Sequence, residues 1–136
     1  MGLFDMFKTK QAPKLDAKLG FACAMIYALE SDGIVDESEL IRLFEIFEAE
    51  DLEIAMDYMK HVKYEDFLKE CQTLFTYEQA KCLIANICDI ILSDGYLSSE
   101  EEELFVALTS AVGLKNDDVA SIVNTFSIKY NYNLFK

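Results

Sequence analysis

Residues 28–39, Ala-Leu-Glu-Ser-Asp-Gly-Ile-Val-Asp-Glu-Ser-Glu, lie over residues 90–101, Ile-Ile-Leu-Ser-Asp-Gly-Tyr-Leu-Ser-Ser-Glu-Glu, at an offset of 62 positions. The identities fall on the Ser-Asp-Gly triplet and on the Glu seven residues after the Asp. Ahead of each triplet runs a stretch with apolar residues on nearly every side, and after it an amphipathic one. A helix that is apolar most of the way round belongs at the centre of a core. Two such helices, over 15–30 and 77–92, therefore predict a bundle in which they pack together and the remaining helices surround them.

The rest of the chain reads the same way. Leu15, Leu19, Ala22, Cys23, Ile26 and Leu29 trace one face of the first helix, after the only proline, Pro13. A second helix carries Leu40, Leu43, Phe44 and Phe47, and shorter ones cover Leu52 to His61 and Tyr64 to Cys71. Thr76 with Gln79 forms a capping-box pattern opening the long helix marked by Ala80, Leu83, Ile84, Ile87, Ile90 and Ile91. Leu104, Phe105, Leu108, Ala111 and Val112 make the next, stopped by Gly113. Val119, Ile122, Val123 and Phe126 make the last, opened by Asn116 with Asp117 and Asp118 in its first turn. Nothing reads as a strand. The expected fold is an all-α, compact bundle of six to seven helices, one domain over 1–136, with residues 1–13 a loosely docked N-terminal segment.

Charge and composition exclude several function classes. The 136 residues carry 25 acidic against 12 basic side chains, a net −13, which is unsuited to nucleic acid because phosphate contacts need clustered Lys and Arg. The acid is concentrated: residues 30–57 hold eleven carboxylates against Arg42, and 89–118 hold eight against Lys115, whereas residues 1–18 are net positive. The longest nearly unbroken apolar stretches, Phe21 to Leu29 and Cys82 to Leu92, are far short of the roughly 20 residues that span a bilayer. With no signal peptide pattern, the chain is expected to be soluble and cytoplasmic, and Cys23, Cys71, Cys82 and Cys88, which form no CxxC pair, to be reduced structural thiols. There is one His, no nucleophile–base spacing and no Gly-rich phosphate loop, so no catalytic residue is assigned and no enzyme activity is expected.

Two copies of an apolar helix followed by Asp-Gly-x-hydrophobic-x-x-x-Glu, in an acidic helical chain of this length, resemble the tellurite-resistance TerB family. The opening Met-Gly-Leu-Phe-Asp-Met-Phe-Lys and the late Gly113-Leu114-Lys115-Asn116-Asp117-Asp118 are similar to that family's start and its last inter-helix turn. The resemblance spans nearly the whole chain. It implies a helical bundle, cytoplasmic or peripheral to the bacterial inner membrane, associated with tellurite and other stress resistance. It also implies divalent metal at the acidic positions, but no defined biochemical activity.

The carboxylates that such a metal would use are Asp32, Asp36, Glu39, Asp94 and Glu101. Hard cations such as Ca²⁺, Mg²⁺ or Mn²⁺ take several oxygen ligands, which a glycine turn can gather. Placing the Asp at position 5 of an EF-hand loop puts Gly at 6 and Glu at 12. Positions 1 and 3 would then be Ala28 and Glu30, or Ile90 and Leu92, so neither turn is a complete EF-hand. Parallel central helices would let both turns contribute to one site, and antiparallel ones would leave two weak sites. The same residues have a purely structural explanation. Asp36 and Ser98 stand at N-caps, Glu39 and Glu101 at the third position of capping boxes, and the Gly after each Asp supplies a positive φ.

Of the remaining polar residues, Asn86 and Asp89 interrupt the central helix as a solvated stripe or a hydrogen bond to a neighbour, or place Asp89 close to a cation. Glu100 to Glu103 reads as a solvated face or a docking surface for a basic partner. His61 reads as a surface residue. Leu3, Phe4, Met6 and Phe7 form an apolar cluster flanked by Lys8 and Lys10, better suited to docking on the bundle or a partner than to a membrane. The aromatic tail from Tyr130 to Lys136 is expected to pack back. The functional expectation is a non-enzymatic stress-response module that binds a divalent cation at its acidic turns and a partner protein. Its alternative is a purely structural interaction domain with an acidic docking face and no metal. The apolar surplus is compatible with a dimer without requiring one.

Overall fold

The structure, a computed structural model, describes residues 13–31, 33, 37–93 and 95–136. Among these are seven α-helices and no strand: α1 (Ala17–Glu30), α2 (Glu37–Ile46), α3 (Ala49–His61), α4 (Tyr64–Cys71), α5 (Tyr77–Leu92), α6 (Ser99–Ala111) and α7 (Asn116–Lys129), followed by a 3-10 turn over Tyr132–Phe135. The all-helical expectation holds.

Capping sets the boundaries. The Asp16 carboxylate accepts the Leu19 N–H at 2.8 Å, so α1 opens at Ala17 and Leu15 lies outside it. Thr76 and Gln79 exchange side-chain and backbone hydrogen bonds at 3.1 and 2.9 Å, the capping box that opens α5. Ser98 and Glu101 do the same for α6, at 3.1 and 3.0 Å. Glycines at φ +77°, +76° and +75° follow α1, α5 and α6: Gly33, Gly95 and Gly113. The repeat is local geometry as well as sequence. Ser31 and Ser93 each turn back a hydroxyl to the carbonyl three residues earlier, Ala28 at 2.7 Å and Ile90 at 2.9 Å. In α7, Asn116 occupies the first helical position and Lys115 the cap, one residue earlier than the sequence pattern implies.

Helices α1 and α5 sit at the centre. Nine of the fourteen residues of α1 are buried, from Leu19 to Leu29, and α1 packs on α3, α5 and α6 while α5 also packs on α6 and α7. Gly20 permits the closest approach: a Cβ there would stand 2.5 Å from Leu74 Cδ2 and 3.0 Å from the Phe75 ring. The start of α1 (Ala17, Lys18, Phe21) shares a cleft with Phe75 and the start of α5 (Gln79, Cys82, Leu83). The two central helices therefore run in the same direction, and Gly33 and Gly95 follow them at the same end of the bundle.

Around this centre, Phe21 meets Phe47 edge-on at 5.1 Å, and Tyr27, Tyr58, Tyr64 and Phe67 form an aromatic cluster under α4. The buried Tyr58 donates its hydroxyl to Glu70 at 2.8 Å. Cys23, Cys71 and Cys88 are buried free thiols, as the apolar-run reading expects, but Cys82 is exposed. Burial, reinforced by Cys71, pushes the Cys23 thiol up to about 12. Burial and Glu70 push Cys71 to about 12, and burial and Asp89 push Cys88 to about 11.

Asp89 is the polar knot of the assembly. Its carboxylate receives Arg42 from α2 at 2.9 Å, Lys129 from α7 at 3.2 Å, and the Tyr130 hydroxyl. The carboxylate is 15% exposed. Among the two readings of Asp89, the hydrogen bond to neighbouring helices is what the structure contains. Two cationic side chains on this carboxylate leave it poorly placed to serve a metal. The tail returns to the bundle only through Tyr130, since Tyr132, Leu134 and Phe135 are exposed. That is a correction to the expected packed tail: beyond Tyr130 every residue is exposed.

Candidate functional site

Helix α2 is where the apolar pattern and the packing part company. Leu43 and the following Phe47 are buried, but Leu40 and Phe44, on the same expected face, are 43% and 59% exposed. Leu43 packs into the core and Arg42 pins the helix to Asp89, yet the rest of the apolar face stands away from α1 and α3. The result is a groove of about 490 Å³ between α1, α2 and α3, floored by Ile26, Leu29, Leu43 and Leu52 and walled by Leu40, Phe44 and Met56. Met56 is 47% exposed. Covering side chains of this size gains about 1.5–3 kcal/mol each when burial is complete. The groove is thus a surface that gains by being occupied.

Its rim is acidic. Glu30 and Glu53 line the groove itself, and Glu45, Glu48, Glu50 and Asp57 are exposed close by on α2, α3 and their connection. Lys18 is tied to Asp51 at 3.1 Å and Arg42 to Asp89. Charge and shape together make this an apolar slot in a negative field.

On the other side of the same C-terminal end of α1, the side chains of Tyr27, Glu30, Ser31 and Tyr64 meet Glu100, Glu103, Leu104 and Ala107 of α6 around a second cleft of similar size. The Tyr64 hydroxyl is buried there without a hydrogen-bond partner among the described residues, and burial raises its pKa. This cleft lies beside the first Asp-Gly turn.

Of the five carboxylates expected to hold a cation, Asp32, Asp36 and Asp94 lie outside the described residues. Glu39 is half-buried and engaged in interactions of its own. Glu101 is 6% exposed and accepts the Ser98 N–H, so its capping role is realised. It is also buried, whereas Glu100, Glu102 and Glu103 are exposed, so the run of four acids is not one solvated face. Among the described residues no three His, Cys, Asp or Glu side chains converge as metal ligands. His61 is at the surface as expected, its Nδ1 donating to the Asp57 carbonyl at 2.8 Å. No helix among the described residues is long and apolar enough to cross a membrane.

The reading from sequence missed the groove because Leu40 and Phe44 carry the same periodic signal whether they face a core or an open slot. The available clue was the density of carboxylates flanking them. No protein-family model, no curated protein and no solved structure matches the chain.

Proposed function

We propose that this chain is a non-enzymatic helical docking module whose α1–α2–α3 groove receives a basic, amphipathic segment of a protein partner. One observation carries the reading: the exposed Leu40, Phe44 and Met56 flank an apolar slot whose rim is acidic. A segment with apolar residues on one face and Lys or Arg on the other satisfies both features, as amphipathic helices do in other grooves. The test is a titration of the protein into a dye-labelled helical peptide of Leu and Lys, against a scrambled peptide of the same composition. Saturable binding to the amphipathic peptide alone, insensitive to EDTA and weakened as salt rises from about 0.05 to 0.5 M, is expected. Phe44→Ser should weaken it about tenfold, equivalent to about 1.4 kcal/mol. Equal binding of both peptides, or no effect of Phe44→Ser, contradicts the proposal.

A second reading is supported by the common direction of α1 and α5, which brings the two Asp-Gly turns to one end of the bundle. In it, Asp32, Asp36, Glu39, Asp94 and Glu101 hold one Ca²⁺, Mg²⁺ or Mn²⁺ between them. The same paired architecture supports kinship with the TerB family. With that kinship come a cytoplasmic or inner-membrane-peripheral site of action and a role in bacterial stress or tellurite resistance. Both belong to the proposal.

A further inference from the structure

The groove has a candidate occupant within the chain. Pro13, the first described residue, lies in a shallow cleft with Lys14, Asp16, Lys18 and Leu19 against Asp51 and Ile54 of α3. At 100° per residue, Asp51 and Ile54 lie on one flank of α3, while Ala49, Leu52, Glu53 and Met56, which line the groove, lie on the opposite flank. Between the two flanks, α3 presents Glu50, Glu53 and Asp57 to solvent. A chain leaving Pro13 toward the groove has to cross that acidic face. Residues 8–12 span up to about 17 Å when extended, enough to cross a helix about 10–12 Å wide. They contain Lys8 and Lys10. Beyond them come Leu3, Phe4, Met6 and Phe7, four apolar side chains within five residues.

We propose that residues 3–10 dock on their own bundle, with Leu3, Phe4, Met6 and Phe7 in the α1–α2–α3 groove and Lys8 and Lys10 over Glu50, Glu53 and Asp57. The segment is then an intramolecular plug that a partner displaces, and this rests on the reading of the groove as a docking surface. Charge favours this occupant over a second copy. Two chains of net −13 repel, whereas residues 1–18 carry a net positive charge and 30–57 are the most negative stretch of the chain. The tether adds to this, because a segment held a few residues from its site competes at high effective concentration.

The test uses the full chain with Phe4→Ser and Phe7→Ser, and the amphipathic Leu/Lys peptide as probe. A plug that fills the groove nine-tenths of the time weakens apparent peptide affinity tenfold, so the double variant should bind the peptide about tenfold more tightly. In the absence of peptide, its Met56 methyl resonance should move, and the urea midpoint should fall by the equivalent of that same tenfold, about 1.4 kcal/mol, because docking stabilises only the folded chain. The Lys8→Glu, Lys10→Glu variant should reproduce part of both effects. Equal peptide affinity with an unmoved Met56 methyl overturns the plug and leaves the groove reading intact. Peptide binding to neither protein overturns both. A concentration-dependent dimer that vanishes on Phe4→Ser and Phe7→Ser overturns the intramolecular arrangement in favour of a second copy. Loss of co-sedimentation with phosphatidylglycerol vesicles, with Met56 unmoved, overturns it in favour of a membrane surface.

Discussion

At the scale of single residues, Asp89 and the capping serine at 98 do different work. Asp89 gathers Arg42, Lys129 and Tyr130, binding α2 and the end of α7 to the central helix. Asp89→Ala removes the acceptor that all three donors share, but Arg42 and Lys129 are 35% and 49% exposed and turn to water, so the expected cost is about 1 kcal/mol, read as a lower urea midpoint at constant slope. Ser98→Ala removes an acceptor from the α6 N-terminus and should cost about 1 kcal/mol in the same assay. The thiols set an alkaline limit. In Cys23, Cys71 and Cys88 the folded pKa is raised, so the unfolded chain loses its protons first. Their contribution is complete below about 9 and declines as pH rises toward about 11–12. Thermal midpoints should accordingly fall between about pH 9 and 11. At neutral pH, iodoacetamide should label Cys82 alone by mass spectrometry, since it is the exposed thiol of the four. The polar break at Asp89 was visible in the sequence, but its partners were not. They come from helices distant in the chain, and a single sequence carries no record of which surfaces meet.

Among the elements, periodicity and caps located every helix, because each has an apolar repeat or a side chain that ends it. The box at Thr76 and Gln79 and the stop at Gly113 are realised as read. The opening of α1 moved from Leu15 to Ala17 because Asp16 is a better cap than Leu15 is a helical start. The direction of α1 relative to α5 was not legible, since either sense satisfies the same burial pattern. Helix α2 shows the further limit: a periodic apolar face says which side is sticky, not whether the molecule covers it. Two substitutions one residue apart separate those cases. Leu43→Ala, buried at 5% exposure, should cost about 2–4 kcal/mol. Phe44→Ser, 59% exposed, should change stability by no more than about 1 kcal/mol, the share that segment docking contributes, while weakening peptide binding.

For the molecule as a whole, the net charge of −13 is densest over residues 30–57, which supply much of the acidic rim of the apolar groove. The fold was largely legible because an internal repeat with two apolar helices permits few arrangements. The candidate site was legible only as acid, because the groove exists through incomplete packing. The cation reading has its own test at this scale. Thermal unfolding of EDTA-stripped protein at fixed ionic strength should show a saturable rise with Ca²⁺, Mg²⁺ or Mn²⁺, since a ligand bound to the native state alone stabilises it. Asp32→Asn with Asp94→Asn should abolish that rise, and a full rise in the double variant would contradict the site.

Mapping the amphipathic peptide by methyl NMR tests the docking account most directly. Resonances of Ile26, Leu29, Leu40 and Met56 should shift together and saturate with the affinity measured by anisotropy, while Leu134 at the far tail stays fixed. Shifts confined to other faces, or spread evenly over the surface, would show that the acid attracts the peptide and the groove does not hold it.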